Sequence, residues 1–337
     1  MPRLQRFLLT LLLVLTVPAA LVTLLSLLTA QVWWLKLLDF PRFQLLVLHL
    51  GVLLGLAGLL VLGRRQRQPA RRWVLGLSLF GAAGQLYFLL PYAPFMPRPL
   101  PDATAAQATD TTARLRILEA NVLQKNQRPD LLLARVREQS PDLVLALETD
   151  QRWVNALRPL RRQYPYVIEL PQTNTYGMVL YSRLPLLEAR VYNFQEPDVP
   201  TLITDVRLPN GRLVRLYAVH PTPPVPSRHP TSLSQPNRAL LQVGRRVQQH
   251  RGPALVLGDF NDVSWSRATR LFEASGELHN VRRGRGMYST FDANSGVLRW
   301  PLDHLFATRG FRVLGLTRLP AIGSDHFPML FEVMLAE

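Results

Sequence analysis

Apolar and polar positions divide the chain into two parts with different periods. Phe7 to Leu28 is a run of 22 residues without a charge. Phe43 to Leu62 is a second run, of 20, in which His49 is the only titratable group. Val74 to Leu90 is a third, of 17. A helix needs about 20 apolar residues to cross about 30 Å of hydrocarbon. The pattern therefore predicts three transmembrane helices at about 7–28, 43–62 and 74–90, the last slightly short. A single such run would read equally well as a buried core helix, but three in succession with short charged loops do not. The first run has the basic start and nearby small residues of a signal peptide. Its length and the two later runs favour an uncleaved anchor.

Beyond Arg114 the runs become short. Leu115–Asn121, Leu143–Leu147, Met178–Tyr181, Leu202–Leu208, Leu213–Val219, Ala254–Leu257 and Phe327–Leu335 read as strands. Asn210-Gly211 between two of them is a hairpin turn signal. Leu131–Val136, stopped by Ser140-Pro141, and Leu233–Gln249 read as helices. Between the two parts, 91–113 holds five prolines by Pro101 and then Ala, Thr, Gln and Asp, which predicts a tether. The expected organisation is a membrane anchor over 1–90, this tether, and a folded domain over 114–337.

Composition narrows the function. There is no cysteine, which excludes a disulfide scaffold, a thiolate zinc site and a cysteine nucleophile. The formal charge is +16, nearly all of the base being arginine. Residues 114–337 alone hold 29 basic and 20 acidic groups, a net of +9, which suits phosphate-bearing partners or a membrane surface. Arginines also set the expected topology. Arg3 and Arg6 precede the first run, and Arg64, Arg65, Arg67, Arg71 and Arg72 follow the second. Positive-inside logic holds both groups in the cytoplasm and leaves everything after Leu90 outside, as a multi-pass protein of the cytoplasmic membrane.

Candidate chemistry falls at strand ends. Asn121 closes the first strand, Glu148 the second and His220 the second strand of the hairpin. Asp259 and Asn261 follow Ala254–Leu257, Asp303 and His304 sit in Trp300–His304, and Asp325 and His326 precede the last strand. Any one of these alone is a turn former, a cap or a satisfied histidine; His304 in particular reads as structural. Together they supply carboxylates, amides and histidines that a sheet rim can hold rigidly. Hard oxygen donors suit Mg²⁺, Mn²⁺ or Ca²⁺, whereas zinc would want cysteine or clustered histidine.

The order of Glu119-Ala120-Asn121-Val122, Ala146-Leu147-Glu148, Gly177–Arg183, Gly258-Asp259-Phe260-Asn261, Leu302-Asp303-His304 and Ser324–Pro328 resembles the endonuclease/exonuclease/phosphatase superfamily. The resemblance covers the whole of Leu115–Leu335, and the anchor resembles that of bacterial membrane-anchored members. It implies an α+β fold, the four-layer α/β/β/α sandwich of the deoxyribonuclease I-like proteins, here preceded by three transmembrane helices. It implies a hydrolase of phosphodiester or phosphomonoester bonds that uses Mg²⁺ or Mn²⁺. Glu148 and Asn121 would then be metal ligands, with Asp325 completing the metal site. Asp259 would orient or deprotonate the attacking water, and Asn261 would position phosphate or water. His326, paired with Asp303, would contact phosphate, and His220 would assist the leaving group. A tyrosine replaces that histidine in abasic-site endonucleases, so His220 argues against that branch. The substrate would be nucleic acid or a phospholipid or inositol phosphate, with the lipid bilayer as the other partner and no obligate protein partner. A catalytically silent binding module on the same scaffold is the alternative. A transporter finds thin support, since His49 is the sole group within the three runs that titrates near neutral pH.

Overall fold

The computed structural model describes residues 3–28, 32–62, 69–194, 196–224 and 238–336. They divide into two compact units, 1–91 and 92–337. In the first, the apolar runs form α1 (Arg3–Ser26), α3 (Arg42–Leu62) and α4 (Pro69–Leu89), with a short α2 (Trp33–Leu37) between α1 and α3. Three helices here are long and apolar enough to cross a membrane. The third is longer than its apolar run because Pro69, at the helix start, and the Arg71 and Arg72 that follow extend it backwards. The remaining arginines of that loop, Arg64, Arg65 and Arg67, lie outside the described residues.

Polar groups fasten α1, α3 and α4 together. Arg42 pairs with Asp39, donates to Gln85 Oε1 (3.1 Å) and stacks over Phe88 at 3.7 Å. Gln85 Nε2 donates to Thr23 Oγ1 (2.8 Å), which lies 3.5 Å from His49 Nε2. Gly81 leaves the room for that ring, because a Cβ there would stand 2.1 Å from His49 Nε2.

In the second unit the described strands form two six-stranded mixed sheets. One has the order β11-β12-β1-β2-β4-β3, from β11 (Phe311–Arg318), β12 (Met329–Leu335), β1 (Arg114–Asn121), β2 (Leu143–Leu147), β4 (Met178–Ser182) and β3 (Tyr166–Leu170). The other has the order β5-β6-β7-β8-β10-β9, from β5 (Leu186–Tyr192), β6 (Thr201–Arg207), β7 (Leu213–Ala218), β8 (Ala254–Asp259), β10 (Asp303–Ala307) and β9 (His279–Asn280). The inner faces meet in one core that includes Ile117, Leu145, Leu180, Leu216, Leu257 and Phe331. Helices α5 (Pro129–Gln139) and α6 (Gln151–Leu157) cover the first sheet over Val144, Trp153 and Tyr181. Helices α7 (Arg238–His250) and α8 (Arg267–Ser275) cover the second over Tyr217, Val256 and Phe306. This is the four-layer sandwich. Strands such as Leu143–Leu147 and Ala254–Asp259 are buried along their whole length, as expected of central strands covered on both sides.

Several elements differ from the sequence expectation. Strands β3, β5, β9 and β11 carry mixed or half-exposed patterns with no clear period, and β10, though buried throughout, begins with the polar pair Asp303-His304. The helix expected from Leu233 is described only from Arg238; 233–237 lie outside the described residues. The segment read as a tether makes ordered contacts within the second unit. Tyr92 is buried, its hydroxyl donates to Ser264 O (2.7 Å), and its ring meets Trp265 edge-on at 5.9 Å. Leu100 enters the inter-sheet core. Ala103 N donates to Val313 O and Val313 N to Pro101 O, both at 3.0 Å, so the segment extends the edge of β11. Two apolar anchors eight residues apart, with a short stretch of backbone pairing, hold a segment whose average composition reads as unstructured. Between and beyond these anchors much of the segment is exposed, Phe95 and the turn at Gln107–Thr109 included.

Candidate active site

Topology explains why the strand-end residues meet. β1 and β2 are parallel, as are β7 and β8, and each pair lies near the middle of its sheet. The C-terminal ends of these four strands point to one rim, carrying Asn121, Glu148, His220 and Asp259. Strands β12 and β10 run antiparallel to β1 and β8, so they begin at that rim, just after His326 and at Asp303. Asp303 stands directly opposite Asp259 in register. The backbone is bent to aim these groups. Glu148 (φ 60°) and Asn261 (φ 51°) both take the left-handed region, which non-glycine residues adopt mainly where surrounding structure requires it. Gly258 (φ 139°) lets β8 approach β7, since a Cβ there would stand 2.0 Å from Val219 O.

Side chains link the two sheets across this rim. Asn121 Nδ2 donates to Glu148 Oε1 (2.9 Å) and to Asp259 Oδ2 (3.0 Å). Gln124 N donates to Glu148 Oε2 (3.2 Å). His326 Nδ1 lies 2.8 Å from Asp303 Oδ2, and its Nε2 is 3.6 Å from Asp259 Oδ2. His220 Nε2 approaches the same oxygen at 3.7 Å. Asn261 N donates to Asp259 Oδ1 (2.8 Å), and Asn261 Nδ2 to Pro221 O (3.0 Å), which ties down the start of the proline-rich loop. The later part of that loop, with Pro226, lies outside the described residues. Asp325 is partly exposed beside Ser324, whose hydroxyl donates to Asn121 O (2.8 Å). Asn121, Glu148, His220, Asp259, Asp303 and His326 thus form one connected cluster. Asn261 and Asp325 join it through the backbone and through Ser324. His304 stands apart: its Nδ1 faces Arg282 (3.1 Å) and its Nε2 faces Asp262 O (2.9 Å).

Charge is graded within this buried cluster. Burial alone would lower the His326 pKa, but Asp303 and Asp259 outweigh it and raise it to about 10, so the ring is cationic. Burial would raise Asp303; the His326 charge and hydrogen bond overcome that and leave it at about 2. Burial raises Asp259, with His326 working against the shift. Glu148 is also raised by burial, opposed by the bonds from Asn121 and Gln124. His220 is lowered by burial and is neutral. His304 is lowered to about 3 by burial and then Arg282, as suits a structural, uncharged histidine.

Three neighbours had no role in the sequence reading of the site. Tyr176 lies 5.2 Å from the His220 ring, and burial followed by the Glu148 charge raises its hydroxyl to about 12. Phe291 lies 5.0 Å from the His326 ring and stacks on Trp300. Glu119 is wholly buried two residues before Asn121. Burial, then Asp303 and Asp259, raise it well above the carboxylate range, so it keeps its proton. The two-residue pleat was the available signal, since Glu119 and Asn121 must share a face. Tyr176 and Phe291 lie in loops, where no period exists.

The oxygen-rich side of the cluster fits a hard divalent cation. Each Glu148 oxygen accepts one hydrogen bond and keeps a lone pair, and Asp325 lies close enough to raise its pKa. Asp259, Asp303 and His326 also place ligand atoms within 4.8 Å of one another. His326 is better read as a cation bound to Asp303 than as a ligand, because a metal needs the neutral ring.

Solved structures share this architecture. The match to an endonuclease/exonuclease/phosphatase family protein from Bacteroides thetaiotaomicron has a TM-score of 0.55 at 17% identity, over 66% of this chain and 98% of that one. The human Nocturnin catalytic domain with bound sulfate matches at 0.54 and 16%, over 68% and 97%. D. rerio TDP2 complexed with a single-strand DNA product matches at 0.51 and 16%, over 66% and 99%. These likenesses show the fold. The model of the endonuclease/exonuclease/phosphatase family matches residues 114–326, which span every side chain of the cluster, and the chain belongs to that family.

Proposed function

We propose that this protein is a membrane-anchored hydrolase of phosphoric esters that depends on Mg²⁺ or Mn²⁺. The observation that carries the reading is the cluster itself: a carboxylate pair on either side of a cationic histidine, joined through Asn121 to Glu148. The family's name spans nucleases and phosphatases, both of which cleave phosphoric esters.

The roles follow from position and charge. Glu148, with Asn121 and Asp325, would hold the cation, which supplies charge neutralisation at a phosphoryl oxygen. Asp259 accepts the proton of the attacking water as the water oxygen bonds to phosphorus. Its pKa is raised by burial, which makes it a stronger base than a solvated carboxylate. Asn261 orients the water or a phosphate oxygen. The His326 cation, held by Asp303, offers a charged N–H to the oxygens that gain charge as the pentavalent state forms. The ester P–O bond opposite the water breaks, and the departing oxygen takes its proton from solvent water near His220. Three apolar helices support anchoring in the cell membrane, and the arginine bias supports an extracytoplasmic catalytic unit.

The direct test uses the full chain in detergent with Mg²⁺ or Mn²⁺ against plasmid DNA, RNA, phospholipids and inositol phosphates. The proposal expects EDTA-sensitive release of product from at least one class. Hydrolysis that is unaffected by EDTA would contradict it, as would none at all.

A further inference from the structure

The loop between Phe291 and Trp300 closes on itself at the catalytic rim. Its two ends pair as an isolated antiparallel bridge, and Phe291 also bridges His326. Ala293 N donates to Asp325 O (2.7 Å), and Asp292 N to Leu298 O (3.4 Å). The tip therefore stands within a few residues of the cluster. It nevertheless presents two adjacent aliphatic side chains to solvent: Val297 is 75% exposed and Leu298 52%. Scattered exposed apolar residues are ordinary. Two side by side, on a loop bound to the site and backed by base, are a reason to look for a partner. Arg299 and Arg318 both stack over Phe327, at 5.0 and 4.6 Å, beside His326. Aliphatic tips with arginines behind them suit an interface of acyl chains below and phosphates above.

In the chain this unit follows three helices long and apolar enough to cross a membrane. Tyr92, the first residue of the catalytic unit, bonds to Ser264 O, three residues beyond Asn261. Phe95, three residues further on, is 80% exposed.

We infer that the rim rests on the lipid bilayer through Val297 and Leu298, and that the substrate is a phosphate ester carried by a membrane lipid. This rests on the phosphoric-ester hydrolase reading above and names its substrate class. Water adds to the headgroup phosphorus, one P–O ester bond breaks, and the alcohol and phosphate products separate between water and bilayer. A nucleic acid strand would gain nothing from aliphatic side chains at this tip, since phosphate contacts dominate its binding.

The test compares wild type with the double variant Val297→Asp, Leu298→Asp, as full chains in nanodiscs. The discs contain phosphatidylcholine, phosphatidylethanolamine, phosphatidylglycerol and a phosphatidylinositol phosphate. Turnover of disc lipid is measured beside turnover of bis(p-nitrophenyl) phosphate, a soluble diester, and of a single-stranded DNA oligonucleotide. We expect Mg²⁺-dependent cleavage of disc lipid that falls about tenfold or more in the variant, as for losing two interfacial aliphatic contacts. The soluble-diester rate should stay within about twofold in the same protein. Cleavage of DNA with the lipids untouched would overturn the inference, and so would an equal fall, or no fall, on lipid and soluble diester. Failure of wild type on all three substrates would instead bring down the hydrolase reading, and this inference with it.

Discussion

The His326–Asp303 pair carries the sharpest consequence at the scale of single residues. His326 is raised to about 10 because Asp303 and then Asp259 outweigh its burial. A raised histidine pKa means that the cation persists through neutral pH and is lost as pH climbs through the raised value. The proposed mechanism needs that cation, so the alkaline limb of the pH–kcat/KM profile should lie near pH 10. Asp303→Asn removes the larger of the two attractions, and the limb should move at least about one pH unit toward neutrality. An unmoved limb would show that another group titrates there. Glu148→Gln keeps the hydrogen bonds from Asn121 and Gln124 feasible but deletes a ligand charge. The Mg²⁺ concentration for half-maximal activity should therefore rise by about tenfold or more, read from a metal titration. The positions of the cluster were largely legible in the sequence, because Asn121, Glu148, His220, Asp259 and His326 lie next to recognisable strands, while Asp303 was marked only by its motif. Glu119 stood in a quoted motif but received no role, because nothing in composition marks a carboxyl inside a strand as buried and neutral.

At the level of elements, legibility followed periodicity. Leu143–Leu147 and Ala254–Asp259 are continuous apolar runs because both faces are covered, and they could be read directly. β5 has an exposed middle and a bulge between Leu187 and Arg190, which breaks the alternation. β9 is two residues long and exists through its pairing with β10. The segment after Pro91 is held by Tyr92, Leu100 and the pairing of Pro101 and Ala103 with Val313, contacts to residues far off in sequence that no local composition could announce. The β7–β8 approach supplies a test of how tightly the rim is built. Gly258→Ala would drive a Cβ to 2.0 Å from Val219 O in a left-handed backbone region. It should destabilise the fold by about 2 kcal/mol or more. Gly296→Ala, with nothing within 4 Å, should change stability by less than about 0.5 kcal/mol. Thermal unfolding of the two variants side by side checks the contrast, and equal stability would show that the strands have room to separate.

For the whole molecule, three apolar helices and a family domain with a buried carboxylate–histidine cluster support the proposed membrane-bound hydrolase. Its orientation rests on the arginines, since moving a cationic loop across a bilayer is disfavoured. Single cysteines at Gln68 and Thr109 in this cysteine-free chain, probed with an impermeant maleimide on intact cells, should label at 109 and be protected at 68. The reverse pattern would place the catalytic unit in the cytoplasm. The central claim is that the rim cluster performs metal-dependent phosphoric-ester hydrolysis. It is tested most directly by the turnover of bis(p-nitrophenyl) phosphate by the full chain, with Mg²⁺ and with EDTA, in wild type, Asp259→Asn and His326→Ala. The account predicts Mg²⁺-dependent turnover in wild type, abolished by EDTA, and a loss of about 10² or more in each variant. Near-wild-type turnover in both variants, or full activity in EDTA, would contradict it.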